Sequence, residues 1–222
     1  MATDANLKIT AILLLLIVIQ PPLSSVAAEP STQPSGAHIF ETKEFAIALP
    51  EGWTAMERLQ NERRPLHAPG DGKGIPALDE TGAPLQAGIG VEHFQGFKYT
   101  LSECVKVQKE SIARARNLEL IGEPIERSIT LADKRPAVLI AFQFVKDGRR
   151  HSTQVKLIVK GDGDDHWIAS AWAVGSKDSK QLSPDQPLVE WLSAHIETFT
   201  LDPSKINRDK LPPPLFPQKD KQ

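Results

Sequence analysis

The sequence holds a single cysteine, Cys104, so no disulfide can close within the chain. Small secreted domains often depend on such crosslinks. A chain of this length can instead be held by burial alone. Net charge is also missing: 26 Lys and Arg against 28 Asp and Glu give −2, with the signs interspersed. That balance makes no electrostatic case for nucleic acid or an anionic membrane surface. The one long apolar run, residues 9–19, falls short of the roughly 20 residues that span a bilayer as a helix.

Several catalytic signatures are absent as well. No His-Glu-x-x-His places two zinc ligands on one helical face. No Gly-x-Ser-x-Gly holds a serine on a strained strand-to-helix turn. Gly70-Asp71-Gly72-Lys73-Gly74 resembles a phosphate loop only loosely. His67 stands where the first glycine should be, and Gly74 follows the lysine in place of Ser or Thr. The segment reads as a mobile loop.

What is present begins with an export signal. Lys8, the apolar run 9–19, the break at Pro21-Pro22 and the small residues through Val26-Ala27-Ala28 are its three parts. Cleavage is expected after Ala28, leaving an exported chain, periplasmic or extracellular, without a stable membrane span. No cysteine lies near that point, which excludes lipid attachment there. Residues 1–28 are thus a signal peptide and 29–38 a flexible leader rich in Pro, Ser, Thr and Gly. A single domain is expected over 39–202, and a disordered Pro-rich tail over 203–222.

Within the domain, Phe45, Ile47 and Leu49 alternate with Ala46 and Ala48, the period-two pattern of a strand. Pro50-Glu51-Gly52 then turns the chain ahead of Trp53. Residues 59–87 form an excursion dense in Pro and Gly, which excludes a helix or a central strand. A strand follows from Gly88 to Phe94. Thr100-Leu101-Ser102-Glu103 is a capping box. The helix it opens carries Leu101, Val105, Gln108 and Ile112 on one stripe. A strand around 124–131 and a meander of three more, from Val138 to Val174, complete the sheet. Asp147-Gly148 and the run 161–165 supply the meander's turns. Ser183, Pro184 and Gln186 open a closing helix with Leu188, Val189, Leu192, Ile196 and Phe199 on its apolar face.

Metal-ligating side chains are sparse. Asp162, Asp164 and His166 cluster near a turn, and oxygen ligands suit calcium. An EF-hand loop from Asp162 would require Glu at its twelfth place, where Ala173 stands. A polar hairpin turn is the favoured account of the cluster. His151 could approach His166 across the meander, or His93, as a zinc pair. Cys104 reads as a small buried thiol. Trp167, Trp172 and Trp191 read as packing residues. An exposed Trp172 beside Trp53 would instead mark a contact surface.

The run Phe45-Ala46-Ile47-Ala48-Leu49-Pro50-Glu51-Gly52-Trp53 resembles the opening strand and turn of the PsbP-like superfamily, which includes Mog and DcrB-type proteins. The capped helix from Leu101, the meander and the end at Thr198-Phe199-Thr200-Leu201 fit the same template in order. The resemblance implies an α+β, α/β/α sandwich with a mostly antiparallel central sheet. It implies a noncatalytic binding or assembly module, and it carries over no site residue. The expected function is therefore an exported, noncatalytic module for another envelope protein or a small ligand, with no cofactor. The alternatives are a zinc- or calcium-binding envelope protein, or a hydrolase whose pocket would gather His67, Asp71 or His93.

Overall fold

The central feature is one antiparallel sheet with a helix on each face. The computed structural model describes residues 37–57, 60–69, 86–115, 117–146, 150–174 and 187–213. The signal segment, the Asp147-Gly148 turn, the Ser183 cap and most of the excursion lie outside these residues. In chain order the strands are β1 (Ala37–Glu41), β2 (Ala46–Pro50), β3 (Leu66–Pro69) and β4 (Gln86–Phe94). Helix α1 (Leu101–Ala113) precedes β5 (Leu118–Leu120), β6 (Ile125–Thr130), β7 (Pro136–Lys146), β8 (Arg150–Lys160) and β9 (His166–Val174). Helix α2 (Pro187–Ile196) follows.

The main sheet runs β3-β4-β9-β8-β7, with β5 and β6 both pairing with the far side of β7. Every pairing is antiparallel, and β1 and β2 form a separate ribbon. The alternation seen in the sequence divides the side chains between two cores. Val155, Leu157 and Val159 join Leu139, Ile89, Ala169 and Ala171 in the larger core, which takes in β2, α2 and Phe199. Val138, Ile140, Phe142 and Ile158 face the other way and pack under Cys104, Val105 and Ile112 of α1. Layers, sheet direction and helices are those of the expected α+β sandwich.

Helix α1 starts where the capping box places it. The Thr100 hydroxyl accepts from the Glu103 N–H, and the Glu103 carboxylate accepts from the Thr100 N–H at 2.7 Å. On the opposite layer, the Thr198 hydroxyl joins the ribbon to α2. It accepts from the Ala48 N–H at 2.7 Å and donates to the His195 carbonyl.

Three expected boundaries are corrected. Ala37, two residues inside the expected leader, is already in a strand, buried and paired with Pro50. The excursion 59–87 contains an edge strand, β3, bracketed by Pro65 and Pro69. Proline is tolerated there because a sheet edge and a strand terminus need fewer ladder donors. Residues 203–213 of the expected disordered tail are folded. Asp202 caps a short 3-10 turn at Pro203–Lys205, Ile206 and Pro212 are buried, and the Trp191 indole N–H donates to the Pro213 carbonyl at 2.8 Å. A buried indole N–H needs an acceptor, and the tail supplies it.

Candidate functional site

Helix α1 packs over β8, β7 and β5. Among the described residues it leaves the β3-β4-β9 half of the same sheet face without a helix above it. Side chains on that half follow from the register. Gly88, Gly90, Glu92 and Phe94 of β4 pair with Trp172, Ser170, Ile168 and His166 of β9, and His67 of β3 stands opposite Gly90. From Gly88 to Phe94 this strip runs about 20 Å along extended chain.

One end of the strip is built by two glycines. A Cβ on Gly88 would lie 2.0 Å from Cζ2 of Trp172, so the indole occupies the space that a side chain there would fill. At Gly90 the nearest indole atom is 3.6 Å from such a Cβ. The indole therefore lies across β4 and meets the His67 ring of β3, with centres 5.3 Å apart and planes 24° apart. Trp172 and His67 are half-buried, whereas Trp53, Trp167 and Trp191 are buried. Burial, followed by the charge of Arg64, lowers the His67 pKa and favours the neutral ring.

The other end is aromatic and cationic. Phe97 and Tyr99 are 47% and 39% exposed, with exposed Lys98 between them. Their loop is held firmly. The Phe97 N–H donates to the Asp164 carbonyl at 3.0 Å, and the Tyr99 carbonyl accepts from His166 Nε2 at 2.8 Å and from Lys160 Nζ at 3.4 Å. Gly96, at φ +75°, makes the turn that sets Phe97 against Phe94. The Arg63 guanidinium lies 5.0 Å from the Phe94 ring centre, a cation–π contact. A shallow depression of about 420 Å³ opens here among Tyr99, Lys98, Lys160 and Asp164.

Between the ends the lining is polar. Arg64 approaches Glu92 at 3.9 Å. Lys156 Nζ donates to Oε1 of Gln108 on α1 at 2.7 Å. Burial pulls the Lys156 pKa below its ordinary value, against the raising effect of Glu92.

The candidate metal ligands do not converge. Asp162 is held by Arg135 through bonds of 2.9 and 3.2 Å, which keeps its carboxyl below the usual range. Asp164 is exposed at the depression, and His166 is buried against Tyr99. His151 sits at the opposite end of β8 from Lys160, the residue that pairs with His166, a separation of about 30 Å along the strand. The expected approach of His151 to His166 or His93 is therefore corrected: antiparallel pairing sends it to the far edge. His93 faces the other core, stacked on Trp167 at 3.8 Å and bonded to Asp165 at 3.2 Å. His67 and His93 thus lie on opposite faces and share no pocket, and Asp71 lies outside the described residues. Among the described residues no three His, Cys, Asp or Glu side chains are grouped to hold a metal ion. Cys104 is buried, and burial raises its thiol pKa. Trp172 is not beside Trp53, which packs edge-on against Trp191 at 6.2 Å in the other layer. The glycines at 88 and 90 were the available sequence signal for the strip, since alternate glycines on one strand face mark a close approach.

The sequence matches no protein-family model and no curated protein. Solved structures do match. The Saccharomyces cerevisiae Ran-binding protein Mog1p is similar over 78% of this chain and 98% of its own, at 10% identity and a TM-score of 0.50. LpqN, involved in cell envelope biogenesis of Mycobacterium tuberculosis, is 14% identical over 78% of this chain and 87% of its own, with a TM-score of 0.44. Cyanobacterial PsbP from Synechocystis is 8% identical over 79% and 98%, also with a TM-score of 0.44. At these identities the likeness concerns the fold and not the site. The chain shares the mostly antiparallel α+β sandwich fold of Mog1p.

Proposed function

We propose that the chain is an exported, noncatalytic binding or assembly module that takes its partner along the open strip beside α1. The observation that carries this reading is the strip's construction. A half-buried tryptophan is seated in a glycine trough at one end, and a hydrogen-bonded loop presents Phe97 and Tyr99 at the other. Aromatic side chains held in place lose little freedom on binding and tend to dominate contact energy. The Ran-binding description of Mog1p supports a protein-binding role for the fold, and the segment ending at Ala28 supports export.

Site-directed photocrosslinking tests both parts. A crosslinking amino acid at His67 or Tyr99 should capture one specific envelope partner, while the same group at Asp209, beyond the other layer, should not. Equal capture from both places, or none from the strip, refutes the reading. N-terminal sequencing of the secreted form should begin at Glu29.

A further inference from the structure

Resting on that reading, we infer that the strip's occupant is an acidic, extended segment of a partner protein, recognised by the cations gathered along it, most of which make no ion pair with a carboxylate among the described residues. Elsewhere some cations are paired closely, Lys109 with Glu126 at 2.7 Å, Arg114 with Glu110 at 2.9 Å, Arg208 with Glu41 at 2.7 Å and Arg127 with Glu197, while exposed Lys43, Lys106, Lys134, Lys205 and Lys210 make no ion pair among the described residues. Along the strip five cations are gathered, Arg63, Arg64, Lys98, Lys156 and Lys160. Arg63 rests on a ring, Lys156 donates to a neutral amide, and Lys160 donates to the carbonyls of Gly163 and Tyr99. Lys98 makes no ion pair among the described residues, and Arg64 reaches Glu92 only at 3.9 Å. Among the described residues the strip's carboxylates are few. Glu92 is shared, Asp164 stands at the rim, and Glu103 is bound to Thr100.

A cation drawn out of water without a carboxylate is costly unless an anion joins it. Lys156 is so placed, beneath Gln108 and next to Ser170 on β9. An incoming carboxylate would find Lys156 at the centre and Arg63, Arg64 and Lys98 toward the aromatic end. Length sets the shape of the ligand, because about six extended residues cover 20 Å. A bilayer fits poorly, since the Trp172 indole lies across Gly88 instead of projecting, and α1 rises alongside. A neutral glycan would stack on Trp172 but leave the cations unmatched.

The test uses the mature secreted chain and two fluorescein-labelled peptides, Leu-Glu-Ser-Glu-Ser-Glu-Leu and its Gln counterpart, followed by anisotropy. The Glu peptide should bind at least about tenfold more tightly than the Gln peptide, and Lys156→Met or Arg63→Gln should erase about that factor. About 0.5 M salt should remove the preference. Arg63 is exposed, so its variant keeps the test valid should Lys156→Met fail to fold. Equal affinity for the two peptides, binding of neither, or a Glu preference untouched by both substitutions overturns the inference. Binding to phosphatidylglycerol vesicles in place of the peptide does so too, and assigns the anion to lipid. If crosslinks from His67 still capture a partner while the peptides bind alike, the acidic specificity falls and the binding module stands.

Discussion

Gly88→Ala tests whether the Trp172 seat is built as described. The added methyl would lie 2.0, 2.5 and 2.6 Å from three indole carbons, Cζ2, Cε2 and Cη2. Carbon atoms rest at about 3.5–4.0 Å, so the ring must retreat by roughly 1.5 Å or more. Such overpacking costs about 1–3 kcal/mol. Alanine also restricts the unfolded chain, which returns about 0.4–1 kcal/mol. The net expectation is a loss of about 1–2 kcal/mol in urea unfolding followed by circular dichroism. In a Trp172→Ala background the clash is gone, and the same substitution should be neutral or stabilising by about 0.5 kcal/mol. The double-mutant coupling should therefore exceed about 1 kcal/mol. Trp172 emission should shift to the red in Gly88→Ala as the ring leaves its seat. A Gly88→Ala protein as stable as the wild type, or a cost unchanged by removing Trp172, refutes the seat.

Three further predictions concern the other layer and one turn. Burial lowers the His195 pKa from 6.5 to about 4, despite its hydrogen bond to the Trp191 carbonyl. The unfolded chain therefore takes up this proton first, and stability falls as pH drops from 6.5 toward 4, by an amount on the order of 3 kcal/mol. His195→Asn should flatten that part of the stability–pH curve, and an unchanged slope counts against the assignment. Truncation after Lys210 removes the Pro213 carbonyl and should cost about 1–3 kcal/mol in urea unfolding by stranding the Trp191 N–H. In Trp191→Phe the truncation should cost measurably less. Lys134 holds φ at +72°, so Lys134→Gly should stabilise the protein by about 0.5–1 kcal/mol, read from the same unfolding curves.

The elements that were legible share one property: their signal is local and repeated. Alternation in residues 45–49 placed Phe45, Ile47 and Leu49 together on one face correctly, because the pleat converts sequence parity directly into side-chain direction. Thr100 and Glu103 marked a helix start for the same reason, since both partners lie within one turn. β3 and β5 escaped notice, being four and three residues long and too short for periodicity to register. The folded tail escaped too. Pro203–Pro213 carries little apolar pattern of its own, and what orders it is an indole on α2.

Sequence alone determined that the sheet would be mostly antiparallel, because short turns and alternating side chains leave little other choice. It could not decide which face of the sheet, or which half of that face, α1 would cover, since α1's position depends on packing against strands distant in sequence. The placement of His151 was decided the same way. Strand pairing carried it to the far end of β8 from His166, and only the register of β8 on β9 fixes that distance. Tertiary structure likewise brought Trp172, His67 and Gly88 together, three residues on three strands whose meeting no local rule encodes.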